Sequence, residues 1–156
     1  MSGAKWEDCV VDGATWGPKK AGLLANGFAQ ANLPLLEFGG KHYTEQKAIL
    51  RYVGTLNNNK LLPATALGQL ACDESIAMSD DIFSAFIAVI FGSYADDEAK
   101  MAARAGLCVP GGKLYDLFAN KFEKVIAAFG GNFVCGEQLT VADLQLFCTF
   151  RLLVSG

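Results

Sequence analysis

Apolar and polar positions change rhythm twice along the 156 residues. Cys9-Val10-Val11 is a short apolar run that stops at Asp12-Gly13, which predicts a strand before a turn. Gly13, Gly17, Pro18, Gly22, Asn26, Gly27 and Asn32 then break up every candidate run, so residues 13–32 are expected to be irregular. Leu33 to Phe38 is apolar with Pro34 near its start; Gly39-Gly40 and Lys41-His42-Tyr43 follow. Two short runs joined by two glycines predict a β-hairpin. Pro34 would open its first strand, where a missing N–H is tolerated.

From Thr44 the period becomes helical. Ala48, Ile49, Tyr52, Val53 and Leu56 recur at three- and four-residue steps, with Thr44 the expected N-cap and Asn57-Asn58-Asn59-Lys60 the end. Leu61-Leu62-Pro63 reads as a linker. Thr65 is expected to cap a long helix reaching about Ser93, built on Leu67, Leu70, Ala71, Ile76, Ile82, Phe83, Phe86, Ile87 and Ile90. Asp96 to Arg104 predicts a shorter polar helix, closed by Gly106, Pro110, Gly111 and Gly112. Leu114, Leu117, Phe118, Phe122, Val125, Ile126 and Phe129 predict one amphipathic helix, stopped by Gly130-Gly131. A last helix is expected from Thr140 to the end. The organisation is a small α/β part over residues 1–60 followed by an all-α part over residues 64–156.

Composition narrows the classes. Apolar residues at 52% and charged residues at 19% exclude a disordered chain. A mean hydropathy of +0.27 is high for a free-standing monomer, so a buried interface with another chain is expected. The formal net charge is −3 and the longest basic cluster is Lys19-Lys20, which argues against nucleic acid as a partner. The cysteines Cys9, Cys72, Cys108, Cys135 and Cys148 are odd in number and widely spaced, and His42 is the sole histidine. Neither a zinc site nor a disulfide framework is expected, which suits a reducing, cytoplasmic compartment. Each cysteine is expected to be a small buried apolar residue. Met1 to Cys9 shows no signal-peptide core, and the apolar stretch Ile82 to Tyr94 is too short to span a bilayer.

Three segments carry candidate chemistry. Leu33-Pro34-Leu35-Leu36-Glu37-Phe38 sets a proline after a loop, where the peptide is either cis, with the Leu33 backbone turned to a ligand, or an ordinary trans bond at a sheet edge. A helix starting near Thr44 would point the Glu45 and Gln46 N–H groups out of its positive end, where a carboxylate binds; taken alone, these residues favour a simple capped helix with Arg51 in a salt bridge. In Leu139-Thr140-Val141-Ala142-Asp143-Leu144, Thr140 and Asp143 stand as N-cap and N3 of a structural capping box. Trp16 and Lys20, four residues apart in a loop, are a weaker pair for an anionic group. Asp80-Asp81 and Asp96-Asp97-Glu98 read as solvated helix faces. No Ser-His-Asp set, phosphate loop or dinucleotide fingerprint is present.

In this order and spacing, the segments resemble the cytosolic glutathione S-transferase family. Leu33 to Glu37 and Ala48 to Tyr52 look like the family's thioredoxin-like half, and Gly136 to Leu144 looks like its C-terminal capping motif. The Trp16-to-Lys20 spacing and the closing Arg151 to Gly156 are nearest a sigma-like, Tyr-type branch. The resemblance implies a truncated thioredoxin-like part followed by a glutathione-transferase-type helical domain. It implies glutathione as substrate, conjugated to a small electrophile, and a homodimer; no metal is expected. The glutathione-binding residues it implies are Trp16, Lys20, Leu33, Pro34, Glu45 and Gln46, with the electrophile near Phe83, Phe86 or Tyr94. The chain starts about where the family's second strand stands and ends before its last helices, so no catalytic residue is assigned. Where the family usually has Gln-Ser this chain has Glu45-Gln46, and Ala77 stands where an acidic residue often reaches across the dimer. An inactive binding or structural subunit of a larger assembly is the alternative reading.

Overall fold

The computed structural model describes residue 3 and residues 5–155. Met1, Ser2 and Ala4 of the segment read for a signal peptide, and Gly156 of the closing motif, lie outside the described residues. Two compact units divide the chain, Met1–Lys60 and Leu61–Gly156.

The first unit begins with a departure from expectation. Cys9 to Val11 forms no strand, and the stretch read as irregular holds helix α1, Gly13–Ala25. Its start is fixed by a capping box: Asp12 Oδ1 accepts the Thr15 N–H at 2.8 Å, and Thr15 Oγ1 accepts the Asp12 N–H at 2.9 Å. This reciprocal pair satisfies two otherwise orphaned donors. It sets the helix despite Gly13, Gly17 and Pro18, whose intrinsic propensities oppose it. Asn26 closes the other end, its side chain donating to the Gly22 carbonyl at 2.9 Å.

The hairpin forms as expected, with strands β1, Leu36–Phe38, and β2, Lys41–Tyr43. Leu36 pairs with Tyr43, Glu37 with His42 and Phe38 with Lys41. Gly39 at φ 59° and Gly40 at φ 73° make the turn, a left-handed pair that glycine adopts without Cβ strain. Alternation then sorts the faces. Phe38 meets Tyr52 with ring centroids 5.7 Å apart, and on the opposite face His42 meets Phe28 at the same separation.

Helix α2, Gln46–Asn59, carries Tyr52. Its N-cap is Glu45, one residue beyond the expected Thr44. Its regular part stops at Leu56, and Asn57, Asn58 and Asn59 turn left-handed, a conformation asparagine tolerates better than most residues. Among the described residues of this unit only Ala31 and Gly54 are buried.

The second unit holds the core. Thr65 caps α3, Ala66–Ile90, accepting the Gly68 N–H at 3.0 Å. Helix α4, Asp97–Leu107, is capped by Asp96. The expected single amphipathic helix is α5, Lys113–Leu117, a π-helical turn, Phe118–Phe122, and α6, Glu123–Phe129. The wider turn buries Phe122 while Phe118 meets Phe150 with tilted rings, their centroids 4.1 Å apart. Helix α7, Val141–Ser155, packs chiefly on α3. Cys72, Ile76, Ile82, Phe86, Leu117, Phe122, Val134 and Val141 fill the interior. The buried Ser75 and Ser79 hydroxyls donate to the carbonyls four residues back, so neither leaves a polar atom orphaned. The expectation that every cysteine is buried fails. Cys72 is buried and Cys135 half-buried, whereas Cys9, Cys108 and Cys148 are exposed.

No helix among the described residues is long and apolar enough to cross a membrane.

Candidate functional site

The start of α2 has an unusual backbone. Glu45 sits at φ 71° and ψ 102°, a region a non-glycine residue occupies only when its surroundings hold it there. Its carbonyl accepts the Ile49 N–H at 3.0 Å and so begins the helix. Its side chain makes no capping bond; instead the carboxylate takes the amide N–H of Gln30. The positive end of α2 therefore lacks the side-chain cap that α1, α3 and α4 have.

The Leu33–Pro34 peptide is cis and leads into β1. Leu33, Pro34, Glu45 and Gln46 are all exposed. Trp16 and Lys20, expected in a loop, lie on α1 instead. Four residues apart on a helix they share one face, and both are half-buried.

Sequence reasoning missed the charged pair that ties α1 to the hairpin. Lys19, not Lys20, forms an ion pair with Glu37 of β1, and His42 Nε2 lies 3.8 Å from the same carboxylate. The hydrogen bond from Lys19 holds the Glu37 carboxyl below its usual range and raises the Lys19 ammonium above its own, each against a smaller desolvation effect. The signal was weak, a charged residue at the middle of a short apolar strand.

A cleft of about 650 Å³ opens between hairpin and α2. Phe28, Leu36, Phe38, Ala48, Ile49 and Tyr52 make it apolar, and Gln30, His42, Tyr43 and Thr44 supply polar atoms. Size and lining suit a small organic molecule. None of Trp16, Lys20, Leu33, Pro34, Glu45 or Gln46 lines it. Gln30 and Thr44 connect it to Glu45, the first by hydrogen bond and the second by sequence.

In the helical unit the Thr140–Asp143 motif binds loop to helix. Asp143 accepts from the N–H of Val134 at 2.7 Å and from the N–H and hydroxyl of Thr140, each at 2.8 Å. Of the aromatics set beside an electrophile by resemblance, Phe86 is buried under the Arg104 guanidinium, 5.6 Å from its ring centre, and Phe83 is exposed. Among the described residues no group of three or more His, Cys, Asp or Glu side chains is placed to hold a metal ion.

The family profile described as glutathione S-transferase, C-terminal domain, matches residues 80–155. Among curated proteins none matches the chain by sequence. Solved structures do resemble it. Prostaglandin synthase D of Nilaparvata lugens is 21% identical with a TM-score of 0.76, covering 99% of this chain and 71% of its own. A glutathione S-transferase from Ascaris lumbricoides is 23% identical with a TM-score of 0.71, again covering 99% and 71%. Rat hPGDS complexed with a quinoline is 22% identical with a TM-score of 0.65, covering 96% and 68%. At these identities the likeness is one of fold. Residues 80–155 match the glutathione S-transferase C-terminal domain family, and the chain as a whole, a short two-stranded part before the helices, shares the fold of the solved glutathione S-transferase it resembles.

Proposed function

We propose that this chain binds glutathione in its first unit and serves conjugation of the glutathione sulfur to small electrophiles. The observation that carries the reading is Glu45. Its backbone is forced into a rare conformation at the start of a helix whose N-terminal end has no side-chain cap. Such a point presents backbone donors and a positive partial charge to a carboxylate. The γ-glutamyl carboxylate of glutathione fits there, against Glu45 and Gln46. The Leu33 backbone, beside Pro34, would pair with the cysteinyl residue, and Trp16 and Lys20 would face the glycyl end. In the reaction the thiol gives up its proton, the sulfur attacks an electrophilic carbon, and the leaving group departs from that carbon. Placement of the protein in the cytoplasm, as a homodimer, belongs to the same reading. Exposed Leu67 and Leu70, three residues apart on α3, are apolar surface that a second copy would cover.

The test is calorimetric titration with glutathione, followed by turnover of an aryl chloride with glutathione. Saturable binding and glutathione-dependent release of chloride are expected. Absence of binding would overturn the proposal. Binding without turnover would keep the site and remove the conjugation.

A further inference from the structure

The cleft between the hairpin and α2 has no part in the proposed glutathione site, none of whose residues lines it. At about 650 Å³ it falls within the range of small-molecule sites. Its walls are aromatic. Phe38 and Tyr52 stand with ring centroids 5.7 Å apart, yet Phe38 leaves 59% of its surface to water. Phe28 adds a further ring, and Ala48 puts only a methyl group on the α2 wall. Among the described residues that line the cleft, none is Lys, Arg, Asp or Glu. Two carboxylates stand behind lining residues: Glu45 takes the amide N–H of Gln30, and Glu37 lies 3.8 Å from His42 Nε2. The Lys19 ammonium offsets Glu37, whereas Glu45 meets only the Gln30 amide. The adjacent Tyr43 and Thr44 hydroxyls make no hydrogen bond with another described residue, and each can give or take one.

We propose that this cleft is a second ligand site, for an uncharged aromatic molecule that carries one hydrogen-bonding group. Flat rings fill the space against Phe28, Phe38 and Tyr52, where offset and edge-to-face contacts add to apolar burial. The polar group of the ligand meets the hydroxyls of Tyr43 and Thr44. Charge decides the class. An anion would lose its water with no lysine or arginine in the lining to pair it, and the Glu45 carboxylate would stand one hydrogen-bonded residue away. A cation would also lose its water, because Glu45 lies outside the lining and cannot touch it. A neutral ring system has no charge to desolvate. The ligand is held rather than conjugated, so its binding needs no thiol and does not compete with glutathione.

The experiment titrates the full chain with N-phenyl-1-naphthylamine, an uncharged aromatic amine whose fluorescence rises in apolar surroundings, and follows amide chemical shifts residue by residue. Saturable binding is expected, with shifts at Ala29, Gln30, Thr44, Ala48 and Ile49 that persist under saturating glutathione. The anion 8-anilinonaphthalene-1-sulfonate, the same ring skeleton with a sulfonate, should bind at these amides about tenfold more weakly. Ala48→Trp fills the cleft from an exposed position of α2 and should abolish binding, with circular dichroism checking the fold. Probe binding by a chain that takes up no glutathione would keep this site and remove only the glutathione reading. Absence of binding would overturn the proposal. So would shifts confined to the helical unit, displacement of the probe by glutathione, or a sulfonate that binds the same amides as tightly. The shift map of the unsubstituted chain decides the matter even where the variant fails to fold.

Discussion

One carboxylate oxygen of Asp143 accepts both the backbone N–H and the hydroxyl of Thr140, each at 2.8 Å. Its other oxygen takes the Val134 N–H at 2.7 Å. A single side chain therefore orders the start of α7 and the turn before it. Thr140 is 1% exposed, so water cannot replace these bonds. The arrangement explains why an aspartate serves at N3, where a longer side chain is the commoner capping partner.

Asp143→Ala is expected to destabilise the chain by about 3 kcal/mol, because it strips a charged acceptor from several donors at once. Thr140→Ala is expected to cost about 1 kcal/mol and leave glutathione affinity unchanged. Urea unfolding measures both. Equal costs would mean that the bond to Val134 contributes nothing.

Glu45→Gln is expected to tighten glutathione binding by about threefold. It removes a negative charge beside the γ-glutamyl carboxylate, an exposed interaction worth a fraction of a kcal/mol. An amide oxygen can still accept from Gln30. Calorimetry reads the change, and unchanged or weaker affinity would place the carboxylate elsewhere.

The Lys19–Glu37 pair sets an acid-side dependence. The folded Glu37 carboxyl is held below the ordinary 4.5. The unfolded chain therefore takes up its proton first, and the stabilisation is present above about pH 4.5 and lost as pH falls through the lower folded value. Glu37→Gln should flatten this limb of the stability profile. Because both side chains are partly exposed, roughly 0.5 M salt should weaken the effect in the unsubstituted chain. A salt-independent limb identical in the variant would contradict the assignment.

Two thiols of the helical unit, Cys72 and Cys135, set an alkaline limb. Burial, with the Cys72 sulfur and Asp143 adding to it, pushes Cys135 up to about 11 from the ordinary 9.0, and Cys72 is raised as well, with Asp73 among the causes. Unfolding lets both thiols ionise earlier, so stability should fall as pH rises from 9 towards 11. Cys135→Ala should shrink that fall. Alkylation followed by mass should show Cys135 reacting far more slowly at pH 7 than exposed Cys148, with a rate rising about tenfold per pH unit. Equal rates at the two positions would contradict the burial.

Much of the architecture was legible because its signals are local. Gly39-Gly40 specifies the hairpin turn, Thr65 and Asp96 start their helices, and the asparagines after Leu56 end theirs. Helix α1 was hidden because Gly13, Gly17 and Pro18 argue against it residue by residue. Its capping pair was split between two readings, Asp12 in the turn signal Asp12-Gly13 and Thr15 inside the stretch read as irregular. Glu45 displaced Thr44 as N-cap because a left-handed residue outside glycine is imposed by tertiary surroundings, which spacing does not report. The cleft and the Lys19–Glu37 pair join residues distant in sequence, and no periodicity encodes them.

The most direct test of the central claim is a residue-resolved amide chemical-shift titration with glutathione. Saturable shifts centred on Glu45, Gln46 and Leu33 are expected, with weaker ones at Trp16 and Lys20. No shifts, or shifts confined to the helical unit, would contradict it.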